Sequence, residues 1–229
     1  MSSRAPPTSR RERPAKSALS REGIVAAAVD LLHREGLERV TMRRLATELD
    51  TGPASLYVYV RDTGDLHAAV LDALLGTVDL APTPAMKDAS WQDRLVEVLS
   101  SYTRVLFQHP GLARAALFTQ PNGPRYLDLL ERLLELLAEG GVAADRAAWV
   151  VDLLLQRATA TAAEHNGRKE LEQSREFNDL RSTLRGVSRA THPHIAAVAG
   201  ELLSGTGPER LRWSFQVLLN GVLSTPRSP

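Results

Sequence analysis

The chain has 229 residues, 43% of them hydrophobic, with 28 Lys and Arg against 27 Asp and Glu for a formal net charge of +1, and no cysteine. Its length suffices to bury a sizeable core, as one large domain or as a small module on a larger one. The near-balance of charge excludes a polycation, the missing cysteines exclude disulfides and thiolate metal sites, and no run of about eighteen apolar residues marks a membrane span.

Residues 1–19 hold Arg4, Arg10, Arg11, Arg13 and Lys16 against Glu12 alone and contain no apolar run. Such a segment cannot bury itself, so a disordered basic arm is expected. It lacks the hydrophobic stretch of a signal peptide, which makes the cytoplasm the expected compartment. Ser20 then reads as an N-cap, with Ile24, Ala28, Leu31 and Leu32 following at helical spacing and Gly36 as the stop. Thr41 caps a second predicted helix, with Val40 and Leu45 at the positions of a hydrophobic staple. After the turn Asp50-Thr51-Gly52, Pro53 opens a third helix at the position where its missing N–H costs nothing. A fourth helix is predicted over residues 65–75, followed by the linker-like Leu80-Ala81-Pro82-Thr83-Pro84-Ala85. Beyond it, helical periodicity is expected over residues 91–107, 111–117, 125–138, 145–164 and 209–222, and more weakly over 195–203. His109-Pro110, Pro121-Asn122-Gly123-Pro124, Gly140-Gly141 and Gly205-Thr206-Gly207-Pro208 punctuate these segments. Residues 166–192 are polar with weak periodicity and read as a mobile connection. No alternating strand pattern bounded by hairpin signals occurs. The expected fold is therefore all-α.

The second and third predicted helices, joined by a three-residue turn, have the layout of a helix-turn-helix. A helix in the major groove needs its N-terminal residues at base edges and flanking residues on phosphates. Thr51, Pro53, Ala54 and Ser55 fall at the base-facing positions, with apolar surface suited to a thymine methyl group. Arg43, early in the preceding helix, has the reach for a two-point contact with a guanine edge. Thr41, Tyr57, Tyr59 and Arg61 are placed for phosphate oxygens. Leu45, Leu49 and Leu56 would hold the helix pair together. On spacing alone, ordinary packing of two amphipathic helices explains the pattern as well as DNA does; the basic arm favours DNA.

Residues 20–75 resemble the N-terminal domain of the tetracycline-repressor (TetR) family of bacterial regulators. The segment Gly52-Pro53-Ala54-Ser55-Leu56-Tyr57-Val58-Tyr59-Val60-Arg61-Asp62 is similar to that family's recognition helix and the start of its connecting helix. The resemblance continues, less specifically, through Ser90-Trp91-Gln92-Asp93 and residues 121–141 into a C-terminal domain of the tetracycline-repressor type. It implies a homodimeric, all-helical transcriptional regulator, usually a repressor, released from a palindromic DNA operator by a small molecule. Tyr59 stands where many members have histidine, and Thr63 where many have lysine.

The C-terminal half would then dimerise and sense. Residues 147–163 are apolar on nearly every face, through Val150, Val151, Leu153, Leu154, Leu155, Ala158, Ala160 and Ala162, which predicts burial all round. Trp213, Phe215, Leu218, Leu219 and Val222 load the last helix similarly. Pairing both helices with their mates would make a four-helix interface through Val151, Leu154, Leu155, Ala158, Phe215, Leu218, Leu219 and Val222; a monomeric core is the alternative. An effector pocket should be mostly apolar with a few polar groups. Its candidates are Trp91, Tyr102, Phe107, Phe118, Thr119, Tyr126, Arg132, Trp149, Gln156 and Thr161. Of the positions that hold tetracycline in the family's drug-binding members, the asparagine falls at Val98, the metal-binding histidine at Ala116 and the glutamine at Arg132. The phenylalanine falls at Tyr102, and the threonine is kept as Thr119. Without the histidine anchor, an effector other than tetracycline is expected.

Enzymatic chemistry has little to stand on. The histidines are scattered singly except for His192-Pro193-His194, which reads as a solvated loop, and Gly205-Thr206-Gly207 lacks the context of a nucleotide fingerprint. No cofactor and no metal site are expected. A helical adaptor for protein partners could use the same apolar helices, and would leave Arg43, Tyr57, Tyr59 and the arm without a purpose. The expected organisation is a basic arm (1–19), a helix-turn-helix domain (20–66), a helical effector-binding and dimerisation domain (67–223) and a tail (224–229). The helix over 65–75 is the expected lever between the domains.

Overall fold

Short polar side chains set where the helices start. In the computed structural model, which describes residues 19–81, 83–119, 121–172 and 175–226, Ser20 accepts from the Gly23 N–H and opens α1 (Arg21–Glu35). Gly36, at φ 83°, closes it and donates back to the Leu32 carbonyl. Thr41 caps α2 (Met42–Glu48), and Pro53 opens a one-turn α3 (Pro53–Leu56). Asp62 accepts from Asp65 N–H at 2.8 Å, so α4 (Thr63–Leu75) begins two residues before the sequence pattern suggested. Ser90 caps α5 (Trp91–Gln108), Pro110 opens α6 (Pro110–Ala116), and α7 is Pro124–Glu139. A long α8 (Ala144–Glu172), α9 (Arg175–Arg185), α10 (Pro193–Leu202) and α11 (Gly207–Ser224) complete the chain. Thr206 and Glu209 form a reciprocal capping box at the start of α11. The described residues contain helices and no strand, as expected of an all-α fold, and none of these helices is long and apolar enough to cross a membrane.

α1 packs on α4 and α2, and α2 on α3; Ile24, Ala28, Leu31, Leu45, Leu56 and Leu66 are fully buried there. The larger half is built on α5 against α8 and α7, with α6 on α8 and α11 against α5 and α8. One hydrophobic cluster runs through both halves. It is continuous because α4 touches α1 on one side and α5, α6 and α7 on the other.

Two expectations are corrected. Residues 166–192 are mostly helix, as the end of α8 and all of α9. Glu, Lys, Arg and Gln are good helix formers, so a polar segment need not be a loop. His192-Pro193-His194 is the start of α10, with proline at its first position, and His192 pairs with Thr191 at 3.0 Å. But for Leu19, the basic arm lies outside the described residues, as do residues 227–229 of the tail.

Candidate nucleic-acid interface and effector cavity

The turn between α2 and α3 closes through Thr51 N–H to the Ala46 carbonyl at 2.9 Å, with Asp50 in the left-handed region at φ 49°. Asp tolerates that conformation better than most residues. Leu45, Leu56 and Val60 are buried beneath the helix pair and Leu49 packs against them partly buried. Above this base, Arg43, Pro53, Ala54 and Ser55 are exposed and Thr51 is half-buried. Tyr57 is 53% exposed and Tyr59 36%, so neither is a core residue. Val58, at 78%, is exposed beside them and was not among the expected contacts. Thr41 divides its role, because its hydroxyl accepts from Arg44 N–H as the α2 cap.

Electrostatics separates Arg43 from its neighbour. Arg44 reaches Glu35 at 2.5 Å and Glu48 at 2.9 Å, while Arg34 holds the other oxygen of Glu48 at 2.6 Å. The Arg44 guanidinium holds the Glu35 carboxyl below the usual carboxylate range, and Arg34 and Arg44 together do the same to Glu48. Arg43 forms no ion pair among the described residues. Arg61 keeps its side chain in solvent, only grazing Asp65 at 3.7 Å.

α4 is tied to this unit at its N-terminal half. Arg21 donates to the Tyr59 carbonyl at 2.7 Å and pairs with Asp65 at 3.1 Å, and His67 Nε2 lies 3.0 Å from the Val40 carbonyl. Asp65 sits below its ordinary range, first because of Arg21. At its other half, α4 presents buried Asp72, whose carboxylate accepts from Tyr126 N–H at 2.9 Å. Tyr126 is the third residue of α7, and the residue before that helix is Gly123, which has no side chain to cap it. Asp72 therefore supplies the missing cap from another helix. A Cβ on Gly123 would lie 2.2 Å from that carboxylate, which is why glycine stands there.

Beside this joint lies a cavity of about 400 Å³ between α4, α7, α8, the end of α6 and α5. Of the ten predicted pocket residues it gathers four: Tyr102, Thr119, Tyr126 and Gln156. The Tyr102 hydroxyl is 2.7 Å from that of Thr159, and burial pushes its pKa up to about 12. Burial, and then the charge of Asp152, raise the Tyr126 phenol. Asp152 and Thr159 were not anticipated; Asp152 precedes Gln156 by one helical turn and accepts from its amide at 2.7 Å. Ala116, at the position of the tetracycline-binding histidine, is part of the wall, whereas Val98 is buried outside it.

The remaining pocket candidates sit elsewhere. Trp91 lies under Gly140, and Phe107 is half-buried against the core. Phe118 is 91% exposed next to the cavity-lining Leu117 and Thr119. Arg132 donates to the Leu80 carbonyl and pairs with Glu135, and Thr161 donates to the Arg157 carbonyl. Trp149 belongs to a separate apolar groove of about 650 Å³ between α8 and α11.

That groove corrects the dimer assignment. Val151, Leu154, Leu155, Ala158, Phe215 and Leu219 are buried in the protomer's own core and offer little surface to a partner. Leu218 and Val222 are half-buried and do line the groove. The solvent-facing stripe is instead Trp149, Leu153, Trp213 and Val217, with Trp149 at 62% and Trp213 at 66% exposed. A helix that is apolar all round has one face on its own core and another free, and periodicity alone does not say which is which.

Comparison with known proteins gives this arrangement relatives. Residues 24–70 match the family described as Bacterial regulatory proteins, tetR family, and residues 83–225 match the Tetracyclin repressor-like, C-terminal domain. An HTH-type transcriptional regulator of Saccharopolyspora erythraea is 36% identical over 126 residues, covering 55% of this chain and 52% of the relative. The HTH-type transcriptional repressor DrrR1 of Streptomyces coeruleorubidus is 37% identical over 130 residues, 56% of this chain and 46% of the relative. The chain thus spans about half the length of these curated relatives. A solved Streptomyces transcription regulator is 53% identical with a TM-score of 0.75, over 95% of this chain and 99% of its own. ActR of Streptomyces coelicolor, crystallised with actinorhodin, is 32% identical with a TM-score of 0.77, over 90% of this chain and 97% of its own.

Proposed function

This chain belongs to the tetR family of bacterial regulatory proteins, and from that premise we propose that it is a transcriptional repressor that binds a palindromic operator as a homodimer and leaves it when a small molecule other than tetracycline is bound. The observation that carries the DNA reading is the exposed face of α2 and α3, with Arg43, which has no ion pair among the described residues, beside Pro53, Ala54 and Ser55 and flanked by Tyr57 and Tyr59, on a base of buried Leu45 and Leu56. Residues 20–66 serve as the DNA-binding unit and 67–223 as the effector and dimer unit. Arg43 and the start of α3 address base edges; Thr41, Tyr57, Tyr59 and Arg61 address phosphates. The partner protomer covers Trp149, Leu153, Trp213 and Val217, a hydrophobic face larger than a scatter of single exposed residues.

ActR's complex with actinorhodin supports a small-molecule effector in this family, and the cavity beside α4 is the place for one here. Tyr126 serves the cavity with its ring and Asp72 with its N–H. An effector that moves the ring shifts the start of α7, and with it α4, which Arg21 and His67 tie to the helix-turn-helix. The effector thereby favours a geometry whose recognition helices no longer match the half-site spacing.

The test is operator selection from random duplex DNA by the purified full chain at moderate salt. A palindromic motif is the expected result. Binding without a motif that vanishes as salt rises would overturn the reading and leave only charge attraction to phosphates. Magnesium–tetracycline, offered by isothermal titration, is expected not to bind; tight magnesium-dependent binding would overturn that part.

A further inference from the structure

The cavity's charge is one-sided. Asp152 is the only ionisable carboxylate or cationic group in its wall; no Arg, Lys or His lines it among the described residues. The carboxylate accepts from the Gln156 amide and has no ion-pair partner among the described residues. Its field reaches the cavity, since it is one of the causes that raise the Tyr126 phenol. Both cavity phenols stay neutral through the physiological range and offer ring faces beside that negative charge.

We propose that this cavity takes an aromatic molecule bearing a protonated amine, its ammonium on the Asp152 carboxylate and its rings against Tyr126 and Tyr102. This rests on the cavity being the effector site. Asp152 is solvent-exposed at the cavity wall, so a neutral ligand that covers it removes part of its water and returns nothing for it, and an anion adds repulsion. An ammonium replaces the lost water with a charge-assisted hydrogen bond and gains from the phenol ring faces. The preference is thus set by what the wall lacks as much as by what it contains.

Three probes on one ring skeleton test it by isothermal titration of the full chain without DNA: 9-(aminomethyl)acridine (an ammonium at neutral pH), acridine (neutral) and acridine-9-carboxylate (anionic). The cation is expected to bind about tenfold or more tighter than acridine, with the carboxylate weakest. In Asp152→Asn the ratio of cation to neutral should fall towards one while acridine affinity holds. Ala160→Trp, which fills the cavity, should abolish binding of all three. No binding of the cation at millimolar concentration, a preference that survives Asp152→Asn, or acridine binding that survives Ala160→Trp would each overturn the proposal. Operator selection uses no ligand, so the two readings fail separately. A motif without the acridine preference removes the ligand class alone, and the preference without a motif removes the repressor alone.

Discussion

On α2, two consecutive arginines have different fates. Arg44 is locked between Glu35 and Glu48, while Arg43 points into solvent with no ion pair among the described residues. Around the cavity two aspartates divide in the same way. Asp72 is buried and caps α7 from α4, while Asp152 lines the cavity with no cationic partner among the described residues. In both regions one charge is paired and fixes a helix in place, and the other has no ion pair among the described residues. The regions differ in medium. The recognition unit is braced by ion pairs in water, whereas the cavity is braced by buried hydrogen bonds and desolvated phenols, so the same chemistry should break them at opposite ends of the pH scale.

The largest effect expected from that contrast is alkaline. Tyr102 is raised from an ordinary 10 to about 12. A group with a raised folded-state pKa contributes stability that is full below its unfolded value and is lost as pH climbs through the folded one. Between pH 10 and 12 the wild type should lose about 2 kcal/mol more than Tyr102→Phe in urea unfolding. An equal alkaline slope in both would show that the phenol is not held neutral by its site. Glu35, Glu48 and Asp65 have depressed values, so their contribution is full above the ordinary carboxylate range and fades as pH falls below it. Amide exchange in acid should therefore rise first around α1, α2 and the start of α4, and not around Tyr102.

The next effect breaks the arginine pair. Arg43→Ala should cost on the order of 1–3 kcal/mol on the cognate operator and relax specificity. Equal losses on cognate and scrambled DNA would reassign Arg43 to phosphate. Arg44→Ala should lower the melting temperature while the selected motif is unchanged. A changed motif would mean that the ion-pair cluster itself reads DNA.

The helix-turn-helix was legible in the sequence because its signals are local. Ser20 and Thr41 cap within three residues, Gly36 stops α1, and Ile24, Ala28, Leu31 and Leu32 fall at helical spacing on one face. The C-terminal half was legible as helices but not as faces. α8 places Val151, Leu154, Leu155 and Ala158 on the protomer's own core and Trp149 and Leu153 outside, and every one of them is apolar. Nothing local distinguishes the two sets, so the dimer face was assigned to core positions. Asp72 illustrates the other blind spot. In sequence it is one acid within Leu71–Leu75, and its partner N–H lies 54 residues away.

That long-range tie gives the smallest of the predicted effects and the sharpest in meaning. Removing a helix cap typically costs about 1–2 kcal/mol, so Asp72→Ala should lower urea stability by that much, and Asp72→Asn, which keeps an acceptor oxygen, by less. Gly123→Ala should also destabilise, because its Cβ would be driven into the Asp72 carboxylate. With the carboxylate gone the collision goes too, so adding Gly123→Ala to Asp72→Ala should cost less than it does alone. This non-additivity is the mark of direct contact between α4 and the start of α7. Additive losses would mean that the two helices respond independently, and an effector acting on Tyr126 would then need another route to α4.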